Sequence, residues 1–244
     1  PANTLSTGGY EVANSCRFDG TSAYLHKSTS SGTNTKFTFS AWIKRSSSGS
    51  QYPRILGSHT DGSNYLRLNW NRATDGEQLH LYSDGVGTLL TNRLFRDPTA
   101  WMHILVAVDT TDSTADDRQK IFINGSQETS FATRTNPSQN ADYNINNASS
   151  TLTVGKKSFP SEASDFFDGY MAEVHYIDGT AYAPTDFGEF DEDSPQIWKP
   201  KKVSGISYGT NGFYLDFADS SNLGNDANGG TDLTEVNLAA TDQA

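Results

Sequence analysis

The chain has 244 residues, enough for one large domain. Its 34% hydrophobic and 11% aromatic content is low for a helical enzyme but adequate for a thin two-sheet core. Lys and Arg number 18 against 29 Asp and Glu, a net charge of -11, and such a field repels phosphate backbones and argues against nucleic acid as a partner. The single cysteine, Cys16, excludes an internal disulfide framework, and no run approaches the ~18 apolar residues of a membrane span.

Taken in chain order, residues 1–14 read as a lead-in, and Cys16 beside Phe18 as a small buried hydrophobe. Strand patterns follow one another from there. Phe37, Phe39, Ala41 and Ile43 share one face, with Thr38, Ser40 and Trp42 on the other. Leu66, Leu68 and Trp70 alternate with Tyr65, Arg67 and Asn69, and Leu79 and Leu81 with His80 and Tyr82. Trp101 heads a strand through Asp109 in which Ile104, Val106 and Val108 lie together. Leu105 and Ala107 are apolar as well, so this strand is expected to be covered on both sides. Trp42 and Trp101 are accordingly expected in the core. Ile121 and Ile123 oppose Phe122 and run into Asn124-Gly125, a dipeptide that tolerates the positive φ of a tight hairpin.

Residues 129–150 form a long Asn-rich loop, the kind that is usually functional or mobile. Leu152 and Val154 mark a short strand; Tyr170, Ala172, Val174 and Tyr176 alternate with Met171, Glu173, His175 and Ile177; Phe213, Leu215 and Phe217 alternate with Tyr214 and Asp216. Asp-Gly turns punctuate these segments. The pattern predicts an all-β, two-sheet antiparallel jelly-roll sandwich over residues 15–218. Residues 180–210 are expected to wrap over it as a C-terminal extension, and 219–244 to lead out toward a further domain or subunit.

Four stretches carry a family resemblance: residues 18–25, 37–44, 101–109 with 121–125, and 167–174. In that order they resemble the strands of concanavalin A-like domains of the laminin G-like type. Residues 109–118, 176–188 and 212–226 are in turn similar to tailed-bacteriophage virion proteins that carry such domains. The resemblance implies a tail-fibre, tailspike or capsid-fibre module on the virion surface. Other virion proteins, a possible host-surface glycan and its own copies, in a trimer by analogy, would be its partners. Because the fold hosts lectins, hydrolases and spacers alike, the residues must decide its activity.

For sugar binding, a flat aromatic must stack on the pyranose face while amides and charged groups read hydroxyls. Trp70 with Asn69, Asn71 and Arg72, and Tyr82 on the neighbouring strand pattern, are the candidates. Calcium, common at the loop rims of such sandwiches, would use Asp109, Asp112, Asp116 and Asp117, or separately Asp165 and Asp168. Related glucan hydrolases align three carboxylates on one strand; Glu189, Asp191 and Asp193 approximate that motif, but prolines at 184 and 195 argue against a central strand there. The five histidines are dispersed, and no Gly-x-Ser-x-Gly turn or phosphate loop occurs. The expected function is therefore non-catalytic: a virion structural or adhesion module that binds host-surface glycan. A tailspike glycan depolymerase or a purely structural capsid-decorating protein are the alternatives.

Overall fold

Strand alternation produces two antiparallel sheets that share one apolar core. The computed structural model describes residues 9–46, 52–71, 77–157 and 164–244. The strands are, in chain order, β1 (Cys16–Asp19), β2 (Tyr24–Ser28), β3 (Lys36–Arg45), β4 (Arg54–Asp61), β5 (Asn64–Trp70) and β6 (Gln78–Ser83). Next come β7 (Gly87–Leu94), β8 (Met102–Asp109), β9 (Gln119–Ile123), β10 (Ser126–Gln127), β11 (Phe131–Thr135) and β12 (Thr151–Val154). The series ends with β13 (Asp168–Asp178), β14 (Gly188–Phe190), β15 (Trp198–Pro200), β16 (Phe213–Leu215) and β17 (Thr234–Val236). The first sheet has the order β1-β13-β3-β8-β9-β10, with β16 also on β13; the second runs β11-β7-β6-β5-β4-β12-β2-β17. Strands β14 and β15 form a separate hairpin. Among the described residues no helix is long and apolar enough to cross a membrane.

Phe37, Phe39, Ala41 and Ile43 face inward from β3, and Ile104, Val106 and Val108 from β8. They meet Leu66, Leu68, Trp70, Leu79, Leu81 and Leu89 from the second sheet in one cluster. The β9–β10 turn uses Asn124 at φ 49° and Gly125 at φ 76°, the left-handed conformations that an Asn-Gly hairpin supplies at low cost. Cys16 is a free, fully buried thiol, held well above the usual thiol range by burial and by the nearby carboxylates of Asp242 and Glu235.

The outer face of the first sheet is covered in part. Leu105, Ala107 and Ile177 point outward and meet Phe187 and Tyr208, with Tyr182, Val203 and Ile206 packed alongside. Residues 180–210 thus supply a second layer, and β8 is buried on both sides. Trp198 seats itself over this sheet where glycines make room. A Cβ at Gly125 would lie 2.3 Å from its Cε3, and one at Gly188 2.6 Å from its Cε2.

Two expectations fail here. Residues 219–244 do not lead away: β17 adds to the second sheet beside β2, and Leu223 and Leu233 enter the core. The backbones of Ser15 and Ala244 exchange hydrogen bonds of 2.8 and 2.9 Å. Burying two leucines and pairing an open edge outweighs the solvation of this polar stretch. The uniform alternation expected for β13 also fails. Its register against β3 slips between Ala172 and His175, with Glu173 at φ 48°, so one extra residue is bulged out. Met171 faces the core before the bulge, and Val174 and Tyr176 after it. Tyr170 and Ala172 are consequently turned to the outer face, because a bulge reverses the phase of a period-two pattern.

Candidate functional site

The extension leaves one part of the first sheet's outer face open, and there two tryptophans line a groove of about 300 Å³. Its lining combines Trp42 of β3, Trp101 just before β8 and Ala172 of β13 with residues 12–15, Pro200 of β15 and Ala244. Trp101 is 40% exposed and lies 6.5 Å from Tyr170, ring centre to ring centre. Both tryptophans, expected in the core, instead face outward. Trp101 shares the strand parity of His103, Leu105 and Ala107, whose side chains the extension covers, but stands beyond that cover.

Trp42, which lines the groove, is backed by an aromatic stack. His103 lies 5.3 Å from Trp42 and 5.9 Å from Trp198, accepts a 3.1 Å hydrogen bond from Trp198 Nε1 at Nδ1, and shares one of 2.8 Å with Ser40 through Nε2. Burial, with the nearby His175, lowers its pKa to about 3. A neutral ring bonded at both nitrogens packs on Trp42 as a fixed support rather than serving as a proton donor near neutral pH. Lys44 Nζ sits 5.9 Å from the Tyr170 ring centre, one row along the sheet from Trp42 and Ala172. A flat indole with apolar walls and polar groups at its margin suits the carbon-hydrogen face of a sugar ring.

The five residues expected to bind sugar are not brought together. Trp70 has 0% exposure and Asn69 1%. Trp70 belongs to the core face with Leu66 and Leu68, a parity already visible in the sequence, and packs on Phe95 and Phe167. Asn69 Oδ1 accepts 2.6 Å from Arg54 Nη1, whose Nη2 pairs with Asp165 at 3.2 Å. Asn71, just past the end of β5, is half-buried, and Arg72 lies outside the described residues. Tyr82 is half-buried on the other sheet, donates 2.6 Å to Asp84 and lies 4.6 Å beneath the Arg67 guanidinium.

Three of the carboxylates expected to hold calcium, Asp109, Asp112 and Asp117, line one cleft with Lys120, but each is engaged in an ion pair or a turn. Asp109 pairs with Lys36 at 2.9 Å, Asp116 with Arg134 at 3.1 Å and Asp117 with Lys120 at 2.9 Å. Asp112 accepts from the backbone of Thr114 at 2.7 Å. Asp165 belongs to the buried pair with Arg54, and Asp168 lies opposite Asp19 in the sheet. Among the described residues no three His, Cys, Asp or Glu side chains converge as a metal would require. The acidic run fares similarly. Glu189 and Asp191 both lie near Lys199, at 3.6 and 3.2 Å, while the other Asp191 oxygen accepts from the backbones of Asp193 and Ser194. The three carboxylates close a hairpin turn rather than facing one another across a cleft.

A second, polar cleft of about 470 Å³ lies between the loops that hold Thr60, Asn64, Asp142, Asn144 and Asn147. Its aromatic, Tyr143, is 1% exposed and offers no stacking face. Trp101 also borders a smaller cleft of about 220 Å³ on its other side, with Arg93, Arg96 and Asp97; the groove shared with Trp42 is the one that joins two indoles.

Residues 19–183 match the family model described as the concanavalin A-like lectin/glucanases superfamily. The chain belongs to that superfamily. A comparison with curated proteins found no match. Among solved structures, a candidate carbohydrate binding protein from Bacteroides ovatus is similar with a TM-score of 0.61 and 16% identity, over 94% of this chain and 61% of that one. The chain therefore spans about three-fifths of that protein's length. Mouse laminin alpha1 domains LG4-5 are similar at TM-score 0.45 and 16% identity, over 80% of this chain and 48% of theirs. The enzymatically active domain of bacteriophage CBA120 tailspike protein 2 is similar at 0.44 and 17%, over 67% and 25%. These likenesses concern the fold.

Proposed function

We propose that this protein is a non-catalytic glycan-binding module whose contact surface is the Trp42–Trp101 groove. The observation that carries the reading is the exposed face of Trp101 beside that groove. An indole left 40% in water at a sheet otherwise layered by its own chain is available to a ligand rather than required by the core. The non-catalytic reading is supported by the lining, which contains no acidic side chain, whereas glycoside hydrolysis needs two carboxyls flanking the bond. The resemblance of residues 109–118, 176–188 and 212–226 to phage virion proteins supports placing the module on a virion surface, among other virion proteins and its own copies.

A glycan-array screen of the purified chain, read for released oligosaccharide as well as retention, tests this. Retention without release is the expected result. Release of product, or no retained glycan at all, would overturn it.

A further inference from the structure

We infer that the saccharide taken by this groove is anionic, recognised by Arg17 and Lys44. This rests on the glycan-binding reading of the same groove and specifies its ligand class. Arg17 of β1 lies opposite Tyr170 of β13, which lies opposite Lys44 of β3. Ile43 pairs with Met102, so Trp101 continues the row beyond Lys44. The row Arg17, Tyr170, Lys44, Trp101 thus alternates cation and ring across four strands on the outer face.

Neither cation has a carboxylate partner among the described residues. Several other surface cations of this acidic chain are paired, Lys36 with Asp109, Lys120 with Asp117, Arg134 with Asp116 and Lys199 with Asp191; what sets Arg17 and Lys44 apart is their place in one row with Tyr170 and Trp101. Lys44 meets only the Tyr170 ring, and Arg17 is exposed. The nearest acids in the sheet, Asp19 and Asp168, lie on the next row, away from the tryptophans. Asp19 accepts backbone hydrogen bonds from Thr21, Ser22 and Ala23 at 2.7 to 2.8 Å; these overcome the effect of its burial and hold it well below the usual carboxylate range.

In a chain of net charge -11, a general positive field cannot draw an anion, and Asp19 and Asp168 lie only ~7 Å along the strands, so recognition must come from direct charge-assisted contact with Arg17 and Lys44. Arg17 and Lys44 are two strand spacings apart, ~10 Å. That separation serves two charges along an oligosaccharide better than one. Ring faces bind the sugar carbons while the cations bind carboxylate or sulfate oxygens.

The test uses matched probes on the full chain: polygalacturonate against its methyl ester, and a sulfated galactan against its desulfated form. At least one acidic form is expected to bind about 10-fold tighter than its neutral partner, the scale of two exposed charge contacts, with affinity falling as salt rises. Preference confined to carboxylated or to sulfated probes identifies the group recognised. The Arg17→Gln/Lys44→Gln double variant touches no core side chain, so its urea midpoint should match the parent's, and it should bind the acidic form no better than the neutral form. Equal binding of acidic and neutral forms, or a preference that survives the double variant, would overturn the inference while leaving the glycan reading in place. Failure of every probe, acidic and neutral, together with a silent array, would remove both.

Discussion

Replacing Trp101 with alanine tests the groove most directly. With 40% of the residue exposed and ~250 Å² as the largest area an indole buries, about 100 Å² remains for a ligand to cover. At ~25 cal/mol/Å² this amounts to about 2.5 kcal/mol, or about 60-fold in Kd. That is a ceiling, reached only if the sugar covers the whole face. The translational and rotational costs of association cancel between parent and variant, so the ratio carries the argument even where the absolute affinity is modest. Titration calorimetry with the tightest glycan from the array is therefore expected to show a loss between about 10- and 60-fold for Trp101→Ala, and a smaller loss for Trp101→Phe, which keeps a ring. Phe190 is similarly exposed, at 43%, but sits on the hairpin outside the groove lining, so Phe190→Ala should leave Kd unchanged. An urea melt of each variant separates lost contact from lost fold. A Trp101→Ala Kd within about twofold of the parent's, in a protein that remains folded, would refute the assignment of the groove.

Asp165→Ala should strand the buried Arg54 guanidinium, whose pKa burial already lowers to about 10, and cost ~3–5 kcal/mol in urea unfolding; a loss under about 1 kcal/mol would show that the pair is solvated. Asn69→Ala should likewise lower stability and leave glycan affinity intact, the reverse of what a sugar-reading amide would do. Stability should fall as pH drops below the ordinary histidine value of 6.5, because the unfolded chain takes up a proton there that folded His103 accepts only near pH 3. The slope approaches ~1.4 kcal/mol per pH unit for that one site, and buried His175, also lowered by burial, acts in the same direction. Urea midpoints between about pH 7 and 4.5 should show a flatter profile for His103→Gln, and an unchanged slope would contradict the assignment. Treatment with a chelator should leave Tm unchanged, since the candidate calcium carboxylates are engaged in turns and ion pairs; a drop reversed by added calcium would reveal a site these residues do not explain.

The sandwich was legible because its signal is local. Phe37 to Ile43 and Ile104 to Val108 carry period-two patterns, Asn124-Gly125 names its own turn, and doubly apolar Leu105 and Ala107 announce a second covering layer. Such features depend on side-chain parity and backbone φ, which a few neighbouring residues determine. The candidate site was not legible in this way. Trp70 was a misleading choice even on local grounds, since its parity places it with Leu66 and Leu68. Trp101 shares the outward parity of Leu105, and nothing in its own segment tells where the covering layer stops.

Local pattern was thus enough for the all-β architecture, the antiparallel pairing of its strongest hairpin and the acidic charge. Which outward residues remain in water depended on the folded arrangement of distant segments. The bulge at Glu173 turned Tyr170 and Ala172 to the outer face, although uninterrupted alternation would have placed both inside. The seat formed by Gly125 and Gly188 placed Trp198 over His103, which in turn packs on Trp42. Residues 219–244 closed onto β2 because two leucines far from that strand in sequence found the core. Each of these outcomes depends on contacts between segments many residues apart, and such contacts leave no periodicity in any one of them.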